Sequence, residues 1–131
     1  MAKQIVFYQR SEKIIKAGTT EQRMYIILEG EVEISLSDGN NRIVVAKLRK
    51  GDFFGEISLF NNTPRSADAI AAGDVKLAYI DSVEELKAFL LKNPVFAAKM
   101  VHILAQRLAK TDEILISKVS ELNRLKVLKD V

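Results

Sequence analysis

Phe54-Gly55-Glu56-Ile57-Ser58-Leu59-Phe60-Asn61-Asn62-Thr63-Pro64-Arg65-Ser66-Ala67 is the stretch of this 131-residue chain whose residues form the clearest device. Gly55 lets the backbone approach a ligand closely, and the residues after it suit a single helical turn whose free N–H groups point at an anion. Arg65 adds a planar cation matched to phosphate oxygens, and Ser66 places a hydroxyl and a backbone N–H beside it. Glu56, nine residues before Arg65, is a carboxylate acceptor suited to a sugar hydroxyl. Singly, these residues have ordinary readings as a turn glycine, a surface charge and a solvated loop tip. Together they put anion donors and a sugar acceptor in one loop.

Around this loop, residues 13–80 read as short β-rich runs, with Gly18, Gly30, Gly39, Gly51 and Gly55 at or near the breaks. The clearest strand is Tyr25 to Leu28. After Gly30, Val32, Ile34 and Leu36 alternate with Glu33 and Ser35, giving one apolar and one wet face. Asp38-Gly39 is expected to form the hairpin turn, since both residues tolerate positive φ. The returning strand carries Ile43, Val44, Val45 and Leu48, and Lys50-Gly51-Asp52 turns the chain again.

From Ser82 the period changes. Ser82 with Glu85 is a capping-box signature, and Leu86, Phe89 and Leu90 recur at helical spacing, so a short helix should end before Pro94. Residues 95–129 contain neither Gly nor Pro and keep apolar residues three and four apart, which predicts one long helix of about 50 Å. Leu104, Leu108, Thr111, Leu115, Lys118, Leu122 and Leu125 follow the steps of a coiled-coil seam, imperfect at Lys118 and Thr111. The far half of such a helix needs a partner to bury it, and a homodimer is the expectation. Packing of the first half on the chain's own strands is the alternative.

Composition limits the remaining classes. At 48% hydrophobic residues the chain supports one core, so a single domain over 1–131 is expected. It has no cysteine, no N-terminal signal pattern and no apolar run of roughly the 20 residues that span a bilayer, so a cytoplasmic protein without a membrane role is expected. Twenty basic against 17 acidic residues, interspersed, give +3 and do not argue for nucleic acid. The locally basic stretch from Arg124 to Lys129 suits a solvated helix end. One histidine, His102, cannot supply a metal cluster, and no nucleophile has a base beside it in sequence; no metal and no enzymatic activity are expected.

In order and spacing, the Gly55 to Ala67 stretch resembles the phosphate-binding cassette of the cyclic-nucleotide-binding domain family. That pattern runs Gly-Glu, two mostly apolar or small residues, Leu, a variable loop, then Arg, a small residue and Ala. The resemblance extends to Gly18, to Tyr25-Ile26-Ile27-Leu28-Glu29-Gly30-Glu31-Val32 and to Gly51-Asp52-Phe53-Phe54, covering about residues 10–115. It implies a mainly β fold: a jelly-roll-like β-roll over about 10–81, followed by helices over about 82–129. It also implies a regulatory domain in which Gly55, Glu56 and Ile57 hold the ribose and cyclic phosphate, Arg65 and Ser66 hold phosphate oxygens, and Ser58 and Ala67, at small positions of the cassette, belong to the same ligand-binding set. Ile34, Val45 and Leu48 would face the purine, although core packing explains them equally well. Ser11 stands where the family often has Gly, and the lead before the strands is short.

The long helix resembles that of the catabolite-activator branch, with Thr111 where a base-reading hydroxyl is expected and Asp112 beside it. Asp112 can accept from adenine's amino group but pairs better with the two N–H donors of guanine. Ser66 suits either nucleotide. On this resemblance the ligand is cAMP, with cGMP as the alternative, and the long helix closes over the base and signals through dimerisation. Two other readings stay open. The chain could be the sensing half of a catabolite-activator-type regulator, with no direct DNA contact expected because no helix-turn-helix follows residue 131. It could also be a degenerate interaction module, against which Glu56 and Arg65 speak.

Overall fold

The computed structural model describes residues 4–129, with Asp38, Ile114 and residues 124–129 described by backbone alone. The chain divides between Lys87 and Ala88 into two compact units. The first holds two four-stranded antiparallel sheets. In one, β1 (Ile5–Tyr8), β8 (Val75–Ile80), β3 (Met24–Glu29) and β6 (Phe53–Phe54) lie in that order. In the other the order is β2 (Lys13–Ile15), β7 (Asp68–Ala71), β4 (Val32–Asp38) and β5 (Asn41–Leu48). One four-residue helical turn, α1 (Ile57–Phe60), interrupts the strands between β6 and β7. The mainly β architecture followed by helices is the one expected.

Period-two alternation builds the core. Tyr25 and Ile27 of β3, Val75 and Leu77 of β8, and Ala69 and Ala71 of β7 form one cluster with Ile14, Ile15, Val32 and Phe54. Each large side chain buried there contributes roughly 1.5–3 kcal/mol relative to exposure. The residues of β3 on the other face, Met24 and Ile26, are also buried, so this strand reads as an unbroken apolar run rather than an alternating one.

Three local features differ from the sequence reading. Strands begin at Ile5 rather than near residue 10, because Ile5-Val6-Phe7-Tyr8 pairs with β8 from Ile5↔Ala78 to Tyr8↔Val75. This segment is apolar at every position, so no alternation announces it, and only Val6 and Tyr8 pack against the core. The hairpin turn is one residue later than expected. Asp38 is still paired, with Asn41, and the two loop residues are Gly39 and Asn40. Glycine holds the first central position at φ +62, as in a type II′ turn, a conformation it adopts without the penalty of a Cβ. Further along the same pair of strands, Ile34 pairs with Ala46 and Ser35 with Val44, so Val45 is the extra residue of a β-bulge.

The helices start where expected. Glu85 N–H donates to Ser82 Oγ at 3.1 Å, and the Glu85 carboxylate accepts from Asp81 N–H at 3.1 Å, one residue before the usual reciprocal partner. This fixes the first turn of α2 (Val83–Lys92). The second unit holds α3 (Pro94–Lys129), a continuous 36-residue helix. The Lys118 ammonium pairs with Glu121 at 3.7 Å on its surface.

Candidate functional site: an arginine held over a glycine turn

The stretch from Gly55 to Ala67 runs from the end of β6 through α1 to the start of β7. Its entry is fixed by an aromatic row across three strands. Phe54 stacks on Tyr25 at 5.2 Å between ring centroids, and Tyr25 meets Tyr79 at 6.5 Å. Burial, above all, pushes the Tyr25 phenol up to about 12. Gly55 follows at φ +81. A Cβ built there would lie 2.7 Å from Arg65 Nη1 and 3.0 Å from the Arg23 carbonyl oxygen, so both the conformation and the space demand glycine.

Arg65 returns across this turn. Its Nη1 donates to the Gly55 carbonyl at 3.0 Å, and its Nη2 donates to the carbonyls of Glu21 at 2.9 Å and Arg23 at 2.5 Å. Its backbone pairs with the loop between β2 and β3: Arg65 N–H donates to Thr19 O and Gly18 N–H to Arg65 O, both at 2.8 Å. Burial pulls the guanidinium below its ordinary value, while the Tyr25, Glu21 and Glu56 charges oppose that shift. The remaining nitrogen, Nε, is buried without a hydrogen-bond partner. An orphaned cationic N–H of this kind is a costly feature that an anionic oxygen would satisfy.

Glu56 opens α1 in helical conformation and is only 8% exposed. Ser58 is buried, and its hydroxyl lies 2.9 Å from the Gly55 carbonyl and 3.2 Å from that of Arg23. Ile57 points outward, Ser66 is exposed and Ala67 half-buried. Ile34 and Leu48 are half-buried and pack against the core, whereas the bulged Val45 is 52% exposed. The structure thus ties Gly55, Ser58 and Arg65 into one hydrogen-bonded knot with Glu56 within electrostatic reach. Thr111 and Asp112 belong to the second unit. The Thr111 hydroxyl donates to the Arg107 carbonyl of its own helix at 2.9 Å, and Asp112 is exposed.

Two residues that the sequence reading passed over, Arg23 and Asp68, adjoin this knot. Arg23 supplies a carbonyl to both Arg65 and Ser58. Asp68, just beyond Ala67, is buried and accepts from Ala17 N–H at 2.7 Å, with the Lys13 ammonium 3.5 Å away. The Ala17 bond, followed by the Lys13 charge, holds its carboxyl below the usual range against the opposing effect of burial. A carboxylate in the otherwise apolar run Asp68-Ala69-Ile70-Ala71 is the signal that could have identified it. Ser11 sits at φ +75, and its N–H donates to the Ala71 carbonyl at 2.8 Å, so the position is left-handed even without glycine. A separate shallow cleft of about 390 Å³, lined by Phe7, Tyr8, Glu12, Glu29, Asp74 and Lys76 among others, includes none of the cassette residues.

Comparison with known proteins accords with this geometry. Residues 5–93 match the cyclic nucleotide-binding domain family. Over 87 residues, 64% of this chain, it is 38% identical to a cAMP-dependent protein kinase regulatory subunit of Mycosarcoma maydis, covering 17% of that protein. Over 111 residues, 83% of this chain, it is 28% identical to a CRP-like cAMP-activated global transcriptional regulator of Mycobacterium tuberculosis, covering 49% of it. The catabolite activator protein of Thermus thermophilus superimposes with a TM-score of 0.73 at 30% identity, covering 86% of this chain and 53% of that one. The chain therefore spans about half or less of the length of these relatives. A family match over residues 5–93, the structural superposition and an intact Gly55–Arg65 device together show that the chain belongs to the cyclic nucleotide-binding domain family.

Proposed function

We propose that this domain is a sensor for cyclic AMP, with regulation rather than catalysis as its task. The observation that carries the reading is the buried, unpartnered Nε of Arg65 beside the Gly55 turn. The relatives whose names specify cAMP favour that nucleotide over cyclic GMP. In this reading Arg65 Nε and the Ser66 hydroxyl and N–H hold phosphate oxygens, and the Glu56 carboxylate accepts from the ribose hydroxyl. The backbone of Gly55 and Ile57 borders the sugar phosphate. Ser58 keeps the turn in shape rather than touching ligand, because its hydroxyl is already engaged with Gly55 and Arg23. Ile34 and Leu48, with Val45 at the bulge, offer apolar surface to the base.

The seam on α3 supports a second element of the proposal, pairing with another copy of the chain. Leu108, Leu115 and Leu122 are each at least 60% exposed at heptad spacing on this helix. The side chain of Leu125, the last seam position, lies outside the described residues.

Calorimetric titration of Arg65→Ala tests the site. Losing a charge-assisted contact of about 1.5–3 kcal/mol should weaken cAMP binding roughly ten- to a hundredfold. Arg65→Lys, which keeps the charge but not the planar fork, should fall between, and circular dichroism verifies that both variants are folded. Unchanged affinity in folded variants would overturn the assignment.

A further inference from the structure

Arg23 is joined at both ends. Through its backbone it receives Arg65 Nη2 at 2.5 Å and the Ser58 hydroxyl at 3.2 Å on one carbonyl oxygen, and its own N–H donates to Ser58 Oγ at 3.3 Å. Its side chain runs toward the end of β8. Nε donates to Asp81 Oδ1 at 2.8 Å, and the guanidinium carbon lies 4.0 Å from the centroid of the Tyr79 ring, within cation–π range. Glu21, whose carbonyl also accepts from Arg65, presents its carboxylate to Arg23 Nη1 at 3.5 Å. Asp81 in turn leads into the capped first turn of α2 through its N–H bond to Glu85.

The position of the Arg23 carbonyl decides where Arg65 can point, since that oxygen takes the shortest of the three bonds to the guanidinium. A carbonyl at the edge of a loop and a strand is free to rotate with its peptide unit unless something fixes the residue that carries it. Here the side-chain end does so, through an ion pair to Asp81, just beyond β8, and the aromatic face of Tyr79 on β8. We infer that Arg23 is a positioning residue of the anion site, a bracket anchored at Asp81 and Tyr79 that holds Arg65 and Ser58 in register with the Gly55 turn. The inference rests on the proposed role of Arg65. It assigns Arg23 no contact with the nucleotide, and it makes the entry to α2 part of the same bonded network.

The test uses the full chain, ¹⁵N-labelled, in Asp81→Asn, Asp81→Glu, Arg23→Gln and the Asp81→Asn/Arg23→Gln double variant. Two readouts are taken: the Arg65 side-chain Nε–H resonance without ligand, and cAMP affinity by calorimetry. A partly exposed ion pair supports an expected loss of about two- to fivefold in affinity for Asp81→Asn and for Arg23→Gln. Both variants should shift or broaden the Arg65 resonance. Asp81→Glu should restore both readouts, and the double variant should bind no worse than the weaker single variant. An Arg65 resonance unmoved by Asp81→Asn, or losses that multiply in the double variant, would overturn the bracket. If the unaltered chain bound no cyclic nucleotide, the ligand reading would fall, and the Arg65 resonance of the free chain would still decide the bracket.

Discussion

Gly55→Ala probes the tightest point of the site, and its cost can be worked out from the geometry. At φ +81 any Cβ is strained by about 1–2 kcal/mol. At Gly55 the new methyl would also stand 2.7 Å from Arg65 Nη1 and 3.0 Å from the Arg23 carbonyl. The Arg23 carbonyl is held through its side-chain anchor at Asp81 and Tyr79, so the guanidinium must move, and at least one of its carbonyl bonds is lost. Together these effects should destabilise the free chain by about 2.5–5 kcal/mol, lowering Tm by roughly 9–18 °C for a domain near this size. Gly39→Ala supplies the internal reference, because Gly39 is also left-handed, at φ +62, yet a Cβ there meets nothing within 4 Å. The difference between the two variants isolates the clash with Arg65 and Arg23 from the strain of positive φ. Thermal unfolding followed by circular dichroism gives the first quantity and calorimetric titration the second: Gly55→Ala should bind cAMP at least about tenfold more weakly, Gly39→Ala as the unaltered chain does. Equal Tm values for the two variants, with equal affinities, would refute the argument that Arg65 is locked over Gly55.

Further predictions concern positions around the site and the helix. Ser11→Gly removes left-handed strain at φ +75 and should stabilise the chain by about 0.5–1 kcal/mol in urea unfolding; a loss of stability would contradict the strain argument. Asp68 has its carboxyl depressed in the folded state, first by the Ala17 N–H and then by Lys13. Its contribution is therefore present above the unfolded carboxylate value near about 3.9 and is lost as pH falls through the lower folded value. Asp68→Asn should flatten the acid limb of the stability curve below about pH 4 relative to the unaltered chain, and an unchanged limb would remove Asp68 as a contributor. For the helix, sedimentation of the full chain should show a dimer that is lost on truncation after Lys110, whereas the same monomer in both would remove the pairing proposal.

How much of this was legible in the sequence depended on whether a feature is local. The Gly55–Ala67 device was legible because its parts are consecutive and chemically distinctive, and the capping of α2 because Ser82 and Glu85 lie one turn apart. Strand β1 was not, because four apolar residues in a row carry no period, and β8, which pairs with them, lies about 70 residues on. The bulge at Val45 escaped for a related reason: a run of Ile43-Val44-Val45 hides which residue is extra until the partner strand fixes the register. The bonds that Arg65 makes to the carbonyls of Glu21 and Arg23 were invisible for a different reason. Main-chain acceptors leave no mark on residue identity, so the sequence displayed the cation but not what holds it. Arg23 and Asp81, 58 positions apart, become a pair only when β3 and β8 lie side by side.

Calorimetric titration of the purified, unaltered chain with cAMP and cGMP reads occupancy of the Arg65 site and base preference in one experiment. The sensor role requires saturable binding of one nucleotide per chain, tighter for cAMP, with a matching rise in thermal stability as ligand increases. Absence of both heat and thermal shift with either nucleotide, from a folded chain, would contradict it.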